Sequence, residues 1–196
     1  MLAGLVELRK IIFRVFYQRD EYIVIQYELS QQSVQLDSNS DLDIRQVTES
    51  KELASLRQMA DENDMVRFQN LFNRGSIAFI AFRDDQPAGY CWVSEKLDKA
   101  VHRVQAPLQA GDAYVHDLFV SPAYRRHGIG KALISYRLHF LKANEYKRAV
   151  AIVLKNNAPA LSVDKKVGYI HAGELVHTRV LFSDRFAYRA YGENQF

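Results

Sequence analysis

Cysteine is almost missing from this chain of 196 residues: Cys91 stands alone, so no intramolecular disulfide can form. Its place in the apolar run Gly89-Tyr90-Cys91-Trp92-Val93 predicts a buried thiol, and a reducing, cytoplasmic location is the expectation. No apolar run approaches the roughly 18 residues that a membrane crossing needs. The greasiest stretch, Leu2 to Phe16, is interrupted by Glu7, Arg9, Lys10 and Arg14 and leads to no small-residue cleavage site, so it reads as a helix and not as a signal. Such a helix packs on the domain or on a second copy, as a homodimer contact; its basic residues and apolar face also leave room for an interfacial membrane helix. A strong charge of one sign is absent too. Lysine and arginine number 26 against 23 aspartates and glutamates, for a formal charge of +3. That balance suits an anionic cofactor better than nucleic acid, for which no basic tract or RNA-binding signature exists. Repeats and low-complexity segments are also missing, and 48% hydrophobic with 25% charged residues predicts one well-buried core.

Two nucleotide signatures are lacking as well. No Gly-x-x-x-x-Gly-Lys-Ser/Thr run occurs, which argues against a nucleotide-hydrolysing phosphate loop. The dinucleotide fingerprint fails because Leu133 stands three residues after Gly130. What is present is Val120-Ser121-Pro122-Ala123-Tyr124-Arg125-Arg126-His127-Gly128-Ile129-Gly130-Lys131, joining an apolar strand pattern to a long amphipathic helix. A helix start carries unpaired amides and about half a positive charge, so it favours an anion. Gly128 and Gly130 allow close approach, and Arg125, Arg126 and Lys131 add mobile charge, so the junction is expected to hold a pyrophosphate.

Around this junction the chain reads as alternating elements. Tyr22 to Leu29 has strand composition, and Ser30 to Asp41 reads as a linker. A strand from about Leu42 to Val47 precedes a helix entered at Thr48 or Ser50, and a second helix covers about Asp64 to Phe72. Ser76 to Phe82 and Ala88 to Val93 form a strand pair around Arg83-Asp84-Asp85-Gln86-Pro87. Residues 95 to 112 are polar and irregular, as a loop over a substrate site would be. A central strand, Ala113 to Val120, leads through the glycine loop to a helix ending near Ala143. Ala149 to Leu154 reads as a buried inner strand, Ala158 to Val167 as a short helix, and the remainder as two antiparallel strands.

The spacing Arg125-x-x-Gly128-x-Gly130 between strand and helix resembles the signature of the GNAT superfamily of acyl-CoA-dependent N-acetyltransferases. A second segment, Asn157-Ala158-Pro159-Ala160-Leu161-Ser162-Val163-Asp164-Lys165-Lys166-Val167-Gly168-Tyr169, is similar to its later motif, with Asn, Ala, Lys, Gly and the aromatic in register. The departure is Asp164, where the family carries tyrosine. This resemblance implies an α/β (α+β) fold: a mixed, mostly antiparallel central sheet flanked by helices, with its fourth and fifth strands splayed to admit CoA. It places the domain at 42–196, after an N-terminal extension at 1–41. It implies that the main chain of Leu118, Phe119 and Val120 pairs with the pantetheine arm. Arg125, Arg126, His127, Gly128, Ile129, Gly130 and Lys131 would meet the pyrophosphate, and Asn157 and Ala160 would stand near the arm or the leaving group. As a plain helix N-cap Asn157 is equally accounted for.

Acetyl transfer to an amine needs the amine neutral, since an alkyl ammonium has a pKa near about 10. Strand alternation puts Tyr114, His116, Leu118 and Val120 on one face and Val115, Asp117 and Phe119 on the other. His116 is the first choice of base, with Tyr114 at the other matching position. Asp117 would orient the site from the opposite face, or act as base if the register slips by one. An ionised Asp164 would repel the leaving thiolate unless its pKa is strongly raised; Tyr114, Tyr169, Ser162 or water could otherwise supply the proton. The resulting expectation is an acetyl-CoA-dependent N-acetyltransferase acting on a primary amine of a small molecule or peptide, without metal. Its rivals are a non-catalytic acyl-CoA-binding module and an acyltransferase with a longer donor.

Overall fold

The computed structural model describes residues 17–30, 41–96, 108–180 and 183–191. The expected N-terminal helix, and most of the linker and of the 95–112 loop, lie outside the described residues. Eight strands form one sheet: β1 (Tyr17–Glu28), β2 (Asp43–Gln46), β3 (Ile77–Arg83), β4 (Gln86–Ser94), β5 (Asp112–Val120), β6 (Arg148–Leu154), β7 (Ile170–Val180) and β8 (Ser183–Ala190). Their order is β2-β3-β4-β5-β6-β1-β7-β8, and only β5 and β6 pair in parallel. Three α-helices are described, α1 (Glu62–Asn73), α2 (Ile129–Ala143) and α3 (Ala158–Val167). This is the mixed, mostly antiparallel sheet flanked by helices that the resemblance implies.

Local chemistry accounts for most boundaries. The two residues Asp84 and Asp85 turn the β3–β4 hairpin with φ of 51° and 57°, the paired left-handed conformation that matches the twist of the flanking strands. The Asp61 side chain caps α1 by accepting from the Asp64 amide at 2.9 Å. Residues Ser50–Gln58, where a helix is expected, wind as a 3-10 helix, opened by a reciprocal cap between Glu49 and Glu52. Its buried residues are Leu53 and Leu56, spaced by three, which the tighter helix aligns on one side.

Each sheet face buries its own core. On one side α2 packs Leu133, Leu138 and Leu141 against Phe79, Cys91, Val115 and Ala149. On the other, α1 and the 3-10 helix pack Phe68, Leu71, Leu53 and Leu56 against Ile80 and Trp92. Residues 17–28, read from sequence as part of an extension, form β1 in the interior of the sheet, antiparallel to both β6 and β7. Val24 and Ile25 are both buried, so β1 is covered on two faces, which its continuous apolar run requires.

Candidate functional site

β5 and β6 pair only over Asp112 to Tyr114 and Arg148 to Val150, then diverge. A doubly bonded ion pair locks the paired end: Arg148 Nε donates to Asp112 Oδ1 at 2.8 Å and Nη2 to Oδ2 at 2.7 Å. Beyond it opens a cleft of about 330 Å³, lined by β5, β6, α2, α3 and Tyr22 of β1. The opening is the expected splay of the fourth and fifth strands of the family, here β5 and β6.

At the wide end, β5 leaves through the 3-10 turn Pro122–Tyr124. Arg126 and Gly128 then take φ of 68° and 79° before α2 begins. At Gly128 this left-handed conformation is unstrained because no Cβ is present. Arg125 Nε donates to the Val120 carbonyl at 3.2 Å, and His127 Nδ1 lies 2.8 Å from the Arg125 carbonyl, so the loop folds on its own backbone. The side chains of Arg125, Arg126, His127 and Lys131 are exposed, whereas Ile129 is 1% exposed and anchors α2 in the core. Ile129 therefore offers the loop its amide and not its side chain. With Gly130, that amide belongs to the first turn, which has no intrahelical acceptor.

A bulge interrupts β5 halfway along the cleft. Tyr90 pairs with Phe119 and Trp92 with His116, so Cys91 opposes two residues, Asp117 and Leu118; Asp117 has φ 50°. This overturns the simple alternation expected from sequence. Val115 lies on the α2 side, and Leu118 and Val120 join it there beyond the bulge, while Phe119 stacks on Tyr90 on the α1 side. Consecutive residues His116 and Asp117 both turn toward α1. The structure thus brings Asp117 beside the histidine, not across the sheet from it.

Two chains of contacts fix this pair. Asp117 binds Arg67 of α1, which also donates to Asp64 at 2.9 Å. His116 Nδ1 lies 3.4 Å from Asp117 Oδ2, and its Nε2 lies 2.8 Å from Ser94 Oγ, itself 2.7 Å from Ser76 Oγ. Tyr114 stacks on the imidazole at 5.0 Å. Burial raises the Asp117 carboxyl, but the hydrogen bond and charge of the His116–Arg67 side outweigh it and hold the group at about 2. Arg67 is always charged, so this carboxylate stays ionised whatever His116 does. Burial pushes His116 below its ordinary value, leaving a neutral imidazole at neutral pH.

The remaining candidates divide. Asn157, Ala160 and Asp164 line the cleft from the α3 side, with Asn157 Oδ1 capping α3 by accepting from the Ala160 amide at 3.3 Å. Burial raises Asp164 to about 6, with the nearby Arg137 cation pulling it down. Tyr114 and Tyr169 are buried and do not line the cleft; burial raises both, Tyr169 to about 12. Ser162 is exposed on the outer side of α3. Sequence reasoning missed Arg67, Ser94, Tyr22 and Arg137. Arg67 alone had a local signal, its spacing of three from Asp64 on a helix. Among the described residues no group of three His, Cys, Asp or Glu side chains is placed to hold a metal ion, and no helix is long and apolar enough to cross a membrane.

Comparison with known proteins matches this arrangement. A mycothiol acetyltransferase of Streptomyces griseus is 32% identical over 91 residues, which is 46% of this chain and 26% of that protein. The structure of a GCN5-related N-acetyltransferase from Kribbella flavida superposes with a TM-score of 0.60 at 14% identity, over 90% of this chain and 64% of that one. An aminoglycoside N-acetyltransferase in complex with CoA superposes with a TM-score of 0.51 at 21% identity, over 65% of this chain and 91% of that one. The chain thus spans about a quarter of its curated relative and less than two thirds of the longer structural one. The model of the acetyltransferase (GNAT) family matches residues 42–169, from β2 to the residue before β7. The match includes both motif segments and the whole β5–β6 splay, and the chain belongs to the acetyltransferase (GNAT) family.

Proposed function

We propose that this chain transfers the acetyl group of acetyl-CoA to a primary amine, by direct attack in a ternary complex. The observation that supports the reading is the bulge at Asp117, which brings His116 and Asp117 together along the cleft, with the helix start at Gly128 following the end of the same strand. The pyrophosphate sits on the Gly128–Lys131 turn with Arg125 and Arg126 around it. The pantetheine arm lies between β5 and β6, against the main chain of Leu118 to Val120.

Each remaining residue then has a task. An amine arrives mostly as an ammonium at neutral pH, and the ionised Asp117 attracts it. His116, held between Ser94 at Nε2 and Asp117 at Nδ1, takes the amine proton through the cleft, directly or through one water. Protonation of the ring converts the 3.4 Å contact with Asp117 into an ion pair, which stabilises the imidazolium as it forms. The neutral amine adds to the thioester carbonyl, the C–S bond breaks, and sulfur leaves with the electron pair. Asp164, raised to about 6, is protonated in about a tenth of molecules at neutral pH and is the cleft group placed to supply the thiolate, the part the tyrosine of the family motif would take. That property favours turnover over a silent binding module.

A thiol-release assay with acetyl-CoA over a panel of amines tests the reading. Turnover is expected, with kcat reduced about a hundredfold or more in His116→Ala under conditions where the variant is shown to be folded. Turnover unaffected by His116→Ala would remove the proposed base. Binding of acetyl-CoA without thiol release from any amine would favour the binding module.

A further inference from the structure

Among the described residues that line the cleft Arg137 is the only arginine or lysine, and nothing in the reaction above uses it. Its residue is 3% exposed, its Nε has no hydrogen-bond partner, and among the described residues it forms no ion pair. Around it stand the Tyr169 phenol and the Cys91 thiol, neutral groups close enough to share its hydrogen bonding, and the Asp164 carboxyl, which acts on it by charge from beyond ion-pair distance. A guanidinium cannot shed its charge, and a buried charge without a partner is costly, whereas leucine at this helix position would pack at no such cost. Neutral neighbours do not cancel the charge, so an anion at contact distance would complete the site.

The position of Arg137 says which part of a bound thioester it meets. A Cβ at Gly130 would lie 3.7 Å from Val120 Cγ2, so the first turn of α2 is level with the end of β5. The helix then returns antiparallel to the strand, as a crossover between parallel strands does. Seven residues of helix cover about 10 Å, equivalent to about three residues of strand. Arg137 is thus level with His116 and Asp117, deep in the cleft, on the α2 side of the sheet and opposite the base. The phosphates bind at the mouth and cannot reach it. What arrives at this depth is the thioester and the acyl chain beyond it. A methyl group would leave the guanidinium without a counter-ion in contact; a carboxylate at the end of a short chain would supply one with two charge-assisted bonds.

We propose that the cleft takes, as a further donor class, CoA monothioesters of short dicarboxylic acids, malonyl or succinyl, with Arg137 binding the distal carboxylate. The proposal rests on the reading that CoA occupies the β5–β6 cleft. The chemistry keeps its balance: the amine nitrogen bonds to the thioester carbonyl carbon, the C–S bond breaks, sulfur leaves with the electron pair and takes a proton, and the distal carboxylate is unchanged in an N-acyl product.

Calorimetric titration of the whole chain with acetyl-, butyryl-, malonyl- and succinyl-CoA tests this without an acceptor. At least one carboxylated donor is expected to bind about tenfold or more tighter than uncharged butyryl-CoA. In Arg137→Met that preference disappears while acetyl-CoA affinity stays within threefold; Arg137→Gln serves as the second variant if the first fails to fold. Equal affinity of charged and uncharged donors for the wild-type protein would overturn the proposal, whatever the variants do. So would an equal loss of all four donors in the folded variants, which would make Arg137 a support for the thioester in general. Failure of all donors, acetyl-CoA included, would instead remove the CoA reading and this proposal with it.

Discussion

Asp164→Asn is expected to make the protein more stable and a poorer catalyst at once. The Asp164 residue is 7% exposed, and burial raises its carboxyl from 3.8 to about 6 despite the opposing cation of Arg137. A carboxyl whose pKa is higher in the folded than in the unfolded chain binds its proton more tightly when folded. Its favourable contribution is full below the unfolded value of 3.8 and is lost as the pH rises through about 6. Asparagine keeps the size and polarity of the protonated acid and cannot ionise. The interval from 3.8 to about 6 corresponds to about 3 kcal/mol, all of it available to the variant at pH 8. In a chain of this size that is a rise of about 6 to 12 °C in melting midpoint. Thermal unfolding of both proteins at pH 3, 6 and 8 measures it: the midpoints should coincide at pH 3 and separate progressively above it. Thiol release should fall about a hundredfold in the same variant, because the departing sulfur loses its donor. A midpoint at pH 8 equal to or below that of the wild type would refute the reasoning, since it would mean that the carboxylate is stabilised where it stands.

Three further outcomes follow from the same geometry. Asp117 is depressed, so its contribution is present above 3.8 and lost as the pH falls toward about 2; denaturant titrations should show about 2 kcal/mol lost across that window in the wild type and not in Asp117→Asn. Asp112→Ala removes a carboxylate whose side chain is 1% exposed from its two bonds to Arg148, and should cost about 3 kcal/mol, read as a fall of about 6 to 12 °C in midpoint. Gly128→Val puts a branched side chain at φ 79°, at a cost of about 1 to 2 kcal/mol; weaker acetyl-CoA binding by calorimetry should accompany the lower midpoint.

The parts of the fold that were legible in the sequence are those specified by neighbours in the chain. Gly128 and Gly130 punctuate the strand-to-helix junction, the Asp84-Asp85 pair marks its hairpin, and the period of α2 locates its apolar side. Partner choice is not local. Tyr22 to Leu29 was readable as a strand, but nothing within it says that it lies between β6 and β7, because a strand buried on both faces fits any interior place. The 3-10 helix at Ser50–Gln58 was likewise visible as a helix whose exact winding depends on what Leu53 and Leu56 pack against.

The candidate site was least legible where a local rule is broken. A period of two assigns Asp117 to the face opposite His116, and one extra residue against Cys91 reverses that, so the proposed base and its carboxylate become neighbours only after β4 pairs with β5. Arg137 broke a second rule, since an arginine in an amphipathic helix is assigned to solvent by default, yet this one is buried beside the cleft. Both departures have a stability cost, a left-handed aspartate in one and, in the other, a buried cation with no counter-ion in contact and its Nε unsatisfied. They lie level with each other on opposite sides of the same opening. A fold selected for stability alone would place a regular strand and a leucine there, so the two costs support the proposed reacting centre independently of either sequence motif.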